Sequence, residues 1–196
     1  MEPSAFHRLL ISTDFADEAE RGRLIQATAL VAEDSPQTIA ATAKELERTD
    51  DAESIARLMI VMHHVSERLG RWDILASLTS VVLAMGRDNA LITFLSAMVW
   101  GVYRQKAWFI DEGGAILMPM VEDCLGRGDR RLALSAVELL DGFASVGVPL
   151  SHEVSTRLLA RIDEILEQCP QWVSKENVRE AIDAVRVWCD ASLRRL

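Results

Sequence analysis

Cysteine is scarce in this chain, with Cys124, Cys169 and Cys189 the only three among 196 residues. They are odd in number, widely spaced and set among apolar residues of helical pattern. That usage excludes a disulfide framework or a zinc knuckle and predicts buried thiols in a reducing compartment. Proline (5) and glycine (10) are sparse too, too few for an all-β chain with its many tight turns. Long hydrophobic runs are missing. The longest uncharged stretch, Asn89 to Tyr103, has 15 residues, short of the ~20 that a membrane-spanning helix needs, and it reads as a buried helix. The opening Met-Glu-Pro-Ser-Ala-Phe-His-Arg has no basic segment ahead of an apolar core. A secretory leader is therefore not expected, nor a membrane, and the expected compartment is the cytoplasm.

Basic charge is in deficit: 21 Lys and Arg stand against 30 Asp and Glu, a net of −9. Such a surface repels a phosphate backbone. The densest basic cluster, Arg127, Arg130 and Arg131, is interrupted by Asp129 and preceded by Glu122 and Asp123. No nucleic-acid partner is expected. A basic protein suits the balance better than a nucleic acid, although solubility alone accounts for the charge.

Catalytic patterns are lacking as well. There is no Gly-x-Ser-x-Gly, and no cysteine stands in an electropositive setting. Gly113-Gly114, after Asp111-Glu112, lacks the Gly-x-x-x-x-Gly-Lys of a phosphate loop and reads as a hinge between hairpins. Glu122-Asp123 and Asp50-Asp51 read as capping or solvated charges rather than an acid–base pair. His63, His64 and Glu67 come nearest to a ligand cluster, since His63 and Glu67, four apart, share a helix face. A helical zinc hydrolase needs two histidines four apart, and a di-iron bundle needs repeated Glu-x-x-His. Neither occurs, and the expectation is a protein that is not an enzyme and holds no metal or cofactor.

What the chain has is helix signal throughout. About half of its residues are apolar and a quarter charged, the balance of a globular protein with a substantial core. A first helix is predicted over Ser4–Ile11. Asp17 with Glu20 forms a capping box for a helix to Glu33, and Ser35-Pro36 opens one to Arg48. Asp50 with Glu53 forms a second capping box, for a helix that Gly70 ends. This fourth helix carries Ile55, Leu58, Met59, Met62, Val65 and Leu69 on one face, with Ile60 and Val61 on another, and belongs inside a stack. Helices over Trp72–Met85 and Asn89–Arg104 are apolar around most of their circumference. A looser segment, Lys106–Gly114, precedes a short helix to Leu125 with Pro119 in its first turn or at a kink. Asp129, Ser151 and Ser174 cap the last three helices, the first two running to Val146 and Cys169.

About ten helices joined by short turns predict an all-α fold of antiparallel hairpins, a short right-handed α-solenoid or a layered helical bundle, in one domain over residues 1–196. An internal echo supports the hairpins. Leu69-Gly70-Arg71-Trp72-Asp73 leads into Leu78, Val81, Leu83 and Gly86, and Leu125-Gly126-Arg127-Gly128-Asp129 leads into Leu134, Val137, Leu139 and Gly142, with eight of 18 aligned positions identical. The first copy, residues 55–89, resembles a tetratricopeptide repeat. Leu69-Gly70-Arg71-Trp72-Asp73 fits that repeat's inter-helix turn and Asp88-Asn89 fits its end. It departs where His63 and Leu75 replace small residues. HEAT-like stacking describes the segment equally well. The resemblance implies a concave surface that binds a peptide or helix of a partner protein.

Partner-binding candidates follow. Five tryptophans exceed what a core of this size requires. Trp72 stands at a turn and Trp108 with Phe109 in the looser segment, where exposed aromatics anchor partners or plug gaps between hairpins. Glu45, Glu47, Asp50 and Asp51 lie in an acidic stretch that steers a basic partner or simply solvates a turn. The expected function is a non-catalytic protein-interaction module, adaptor or chaperone-like, holding a partner segment in a helical groove, with homodimerisation open. Two alternatives stand beside it: an inhibitor or immunity protein that occludes a toxin's site, and a helical enzyme or metal binder around His63, His64 and Glu67.

Overall fold

The structure is a computed structural model that describes residues 3–48, 51–168 and 176–194. Among the described residues regular structure is entirely helical, without a strand, so the fold is all-α. No helix among them is long and apolar enough to cross a membrane. The chain divides into two compact units, Met1–Ala90 and Leu91–Leu196.

The first unit contains α1 (Pro3–Ser12), α2 (Glu18–Asp34), α3 (Pro36–Arg48), α4 (Ala52–Leu69), α5 (Trp72–Ala76) and α6 (Thr79–Met85). Short polar side chains start α2 and α4 by taking up N–H groups that a first turn leaves unpaired. Asp17 accepts from Ala19 and Glu20 N–H, at 2.8 and 3.1 Å. Glu20 does not close the expected box on Asp17; its carboxylate accepts the Asp14 N–H at 2.9 Å instead. At α4 the cap is Asp51, which accepts the Ser54 N–H at 3.0 Å. The other expected cap, Asp50, lies outside the described residues. Gly70 ends α4 at φ 65°, a left-handed conformation that favours glycine.

The cap at Asp51 carries a pH dependence. Hydrogen bonding from Ser54 holds its carboxyl below the usual carboxylate range, with His7 and Arg57 contributing charge. A depressed acid stabilises the fold above its unfolded pKa of about 3.9 and loses that contribution as pH falls through the folded value. Asp51→Ala is therefore expected to cost about 1 kcal/mol at pH 7. Denaturant titrations of the two proteins should converge below about pH 4; a gap that persists there would separate the cap from the charge.

Trp72–Met85, which the sequence predicts as one helix, is broken in two. The Ser77 hydroxyl donates to the Ile74 carbonyl and the Thr79 hydroxyl to the Ala76 carbonyl, both at 2.6 Å. Local bonds of this kind compete with the helical ladder. Within the unit alternate helices pack on each other, α1 on α3 and α2 on α4, while α3 also touches α2, α4 and α6. Of the apolar face of α4, Ile55, Leu58, Met59, Met62 and Val65 are buried as expected, and Val61 with them, but Leu69 is only half-buried and Ile60 is exposed.

The second unit takes most of α7 (Asp88–Arg104), then α8 (Lys106–Trp108), a π-helical turn (Phe109–Gly113), α9 (Gly114–Gly126), α10 (Arg130–Val146), α11 (His152–Gln168) and α12 (Glu176–Leu193). The expected looser segment is helical. Gly113 and Gly114 are not a hinge but places of close approach: a Cβ at Gly113 would meet the Trp108 ring at 2.5 Å, and one at Gly114 would meet Val148 Cγ1 at 2.3 Å. Pro119 lies well inside α9. Asp129 caps α10 through Arg131 and Leu132 N–H, and Ser151 caps α11 through Val154 N–H. Ser174 and Cys169 lie outside the described residues. Helix α9 packs on α10 and α11, and α12 on α10 and α11. The four form two hairpins side by side, α9 against α11 and α10 against α12, around Leu117, Val121, Leu139, Phe143, Leu158 and Val185, all buried.

The internal echo holds for the hairpin turn and fails for its glycines. Gly70 and Gly86 are left-handed, whereas in the second copy Gly128 takes that conformation. Gly126 and Gly142 are helical, and a Cβ on Gly142 would sit 3.5 Å from Val102.

Candidate functional site

A groove of about 320 Å³ opens in the second unit between α9 and the start of α11. Its apolar walls are Ala115, Met118 and Pro119 on one side, with Pro149, Leu150 and Val154 on the other. The shape depends on how the α10–α11 turn is held. Gly147 reverses the chain at φ 81°, and buried Val148 then drops onto the bare backbone of Gly114. From α12, the Trp188 indole N–H donates to the Val148 carbonyl at 2.9 Å. A glycine, a valine and a tryptophan from three elements thus set the groove's width.

One end of the groove is ionic. Arg157 on α11 donates through Nη2 to Glu122 on α9 at 3.0 Å and through Nη1 to Glu153 at 2.6 Å. The hydrogen bond that Arg157 donates to Glu122 comes first in holding the guanidinium above its ordinary pKa. These side chains are substantially solvated, so the cluster orients Arg157 more than it stabilises the fold. Pro119 adds a polar feature to the wall. It has no N–H, so the Ala115 carbonyl lacks the helical donor four residues on, and both residues line the groove.

The residues singled out from sequence are placed elsewhere. Trp72 is 0% exposed, with its ring 5.4 Å from that of His63; Phe109 is buried with its ring 6.1 Å from that of Phe143. Both pack the interior, because the turn at Gly70 and the π-helical turn direct them inward, and neither presents a surface anchor. Trp108 is half-buried over Gly113 and stacks edge-on against Phe109 at 4.8 Å. In the first unit Glu45 is engaged by Arg48 at 2.6 Å, and Asp51 caps α4 with His7 Nε2 3.9 Å away. Glu47 is exposed on α3, and Asp50 lies outside the described residues. His64 Nδ1 is 4.0 Å from Glu67, and the His63 ring lies edge-on to both His64 and Trp72. Among the described residues no three His, Cys, Asp or Glu side chains gather as a metal-holding group. Cys124 and Cys189 are buried thiols, and burial, with the charge of Asp190, pushes the Cys189 thiol up to about 11.

Two aromatics that sequence reasoning assigns to a buried helix are instead on the surface: Trp100 is 63% and Tyr103 48% exposed. Leu91, Phe94, Leu95, Met98 and Val102 form the buried face of α7, and helical geometry turns positions 100 and 103 away from it. The groove residues were also missed. Pro119 was visible as a helix anomaly, but nothing local joins Glu122 to Arg157, 35 residues apart.

Fold and groove together define an all-helical protein in which, within each unit, alternate helices pack on one another. No protein-family model, curated protein or solved structure matches the chain.

Proposed function

We propose that the chain is a non-catalytic protein-interaction module of helical-repeat type, adaptor- or chaperone-like, that works in the cytoplasm and holds a partner's segment against α9 and α11. The groove is the observation that carries this reading: apolar walls, an ionic end and a backbone carbonyl without its helical donor form a surface able to take an extended chain. Packing of alternate helices, α1 on α3 and α2 on α4, then α9 on α11 and α10 on α12, accords with a tetratricopeptide-like or HEAT-like arrangement. In such proteins the helices of one layer line the binding face. About 320 Å³ lies at the lower end of the range for small-molecule sites, and a few side chains of a bound segment would fill it.

Ala115→Trp tests the reading, since Ala115 is exposed on the groove wall and a large ring there fills the space without touching the core. The wild-type protein should retain one stoichiometric partner from native lysate across a range of salt. The variant should melt like wild type and lose that partner. A partner that both proteins retain equally, or none from either, would count against the groove.

A further inference from the structure

Resting on that reading, we infer that the groove's occupant is an extended segment that pairs apolar residues with a lysine or arginine, the base seated at the Glu122–Arg157–Glu153 end. Charge and hydrogen-bond balance point to this occupant. Arg157 is the one cation among the lining residues, and its Nε, Nη1 and Nη2 already donate to carboxylates. Against that single positive charge stand two carboxylates, Glu122 and Glu153, with Glu153 exposed beside the groove. The end therefore carries one surplus negative charge and oxygens with unused lone pairs.

The rest of the groove has the same bias. Pro119 supplies no N–H to the carbonyl of Ala115, and both residues lie on the apolar wall. The Val148 carbonyl accepts from Trp188, and Ser151 Oγ accepts from the Val154 N–H, which leaves the Ser151 O–H as a donor. The exposed Asp111 and Glu112 of the π-helical turn stand one turn before Ala115. Acceptors outnumber uncommitted donors. A carboxylate-bearing occupant would have to displace Glu122 from Arg157 and would leave that glutamate facing it. A basic one adds to the cluster without breaking it, and the chain's net charge of −9 favours its approach.

A phage-displayed library of random 12-residue peptides, panned against the full chain, tests this. Enriched sequences should pair apolar residues with a neighbouring Lys or Arg. Synthetic copies should bind about tenfold more weakly to Ala115→Trp. Exposed charge pairs are individually small, so affinity should fall about threefold on Glu153→Gln and about tenfold on Glu153→Lys. Peptides that Ala115→Trp blocks but that carry no basic residue, or that bind unchanged to Glu153→Lys, would overturn the basic occupant and leave the groove standing. Failure to enrich any peptide, or enrichment of peptides indifferent to Ala115→Trp, would overturn both.

Discussion

Replacing Trp72 with alanine is expected to destabilise the protein by about 3–5 kcal/mol, the cost of deleting a large ring from a closed interior. Trp72 heads the largest fully buried side chains, and it opens α5 immediately after the left-handed turn at Gly70. That turn sends the ring inward, where Ile74 and Leu75 of the same short helix are also buried. Thermal melts should show a fall of roughly 10 °C. The comparison that gives the result meaning is Trp100→Ala with Tyr103→Ala. Those rings are exposed, and truncating both should change stability by no more than about 0.5 kcal/mol each. Equal losses for Trp72 and Trp100 would mean that the burial assigned to them is wrong.

Gly114→Ala and Gly22→Ala should move stability in opposite directions, although both replace a helical glycine. On propensity alone each exchange gains about 1 kcal/mol. At Gly22 nothing lies within 4 Å of the new methyl, so the gain should appear nearly in full in a urea titration. At Gly114 the methyl would stand 2.3 Å from Val148 Cγ1 and 3.0 Å from the Phe109 carbonyl oxygen. Neither neighbour is the free end of a flexible chain. Val148 is buried and its own carbonyl is held by Trp188, so the turn must shift as a whole. Overpacking of that kind costs about 1–3 kcal/mol, enough to reverse the propensity gain. Because the same turn forms one wall of the groove, Gly114→Ala should also weaken any ligand that Ala115→Trp excludes. A Gly114→Ala protein more stable than wild type would show that Val148 does not pack there.

Helix starts were the most legible feature of the chain. Asp17, Asp129 and Ser151 act as caps where the sequence places them, because a cap is a contact over two or three residues and its chemistry is local. Apolar stripes were legible for the same reason. The face Ile55, Leu58, Met59, Met62 and Val65 is buried because spacing of three and four residues puts those side chains on one side of any α-helix. The exposed aromatics were not legible. Asn89 to Tyr103 is uncharged, and periodicity offers no reason to separate Trp100 from Met98; only the packing of α7 leaves one outside. Trp72 and Phe109 failed in the opposite sense, since proximity to a turn says nothing about the direction a ring takes after it.

Composition, caps and period together determined that this chain is helical, where most of its helices begin and which faces are apolar, since each depends on residues no more than four apart. Tertiary structure alone decided the division into two units, the close seat of Val148 on Gly114 and the meeting of Glu122 with Arg157. Those features join residues about 35 positions apart or depend on the shape of a neighbour, and no local spacing encodes them. The groove belongs to that second group, which is why the chemistry proposed for it rests on geometry and not on a motif.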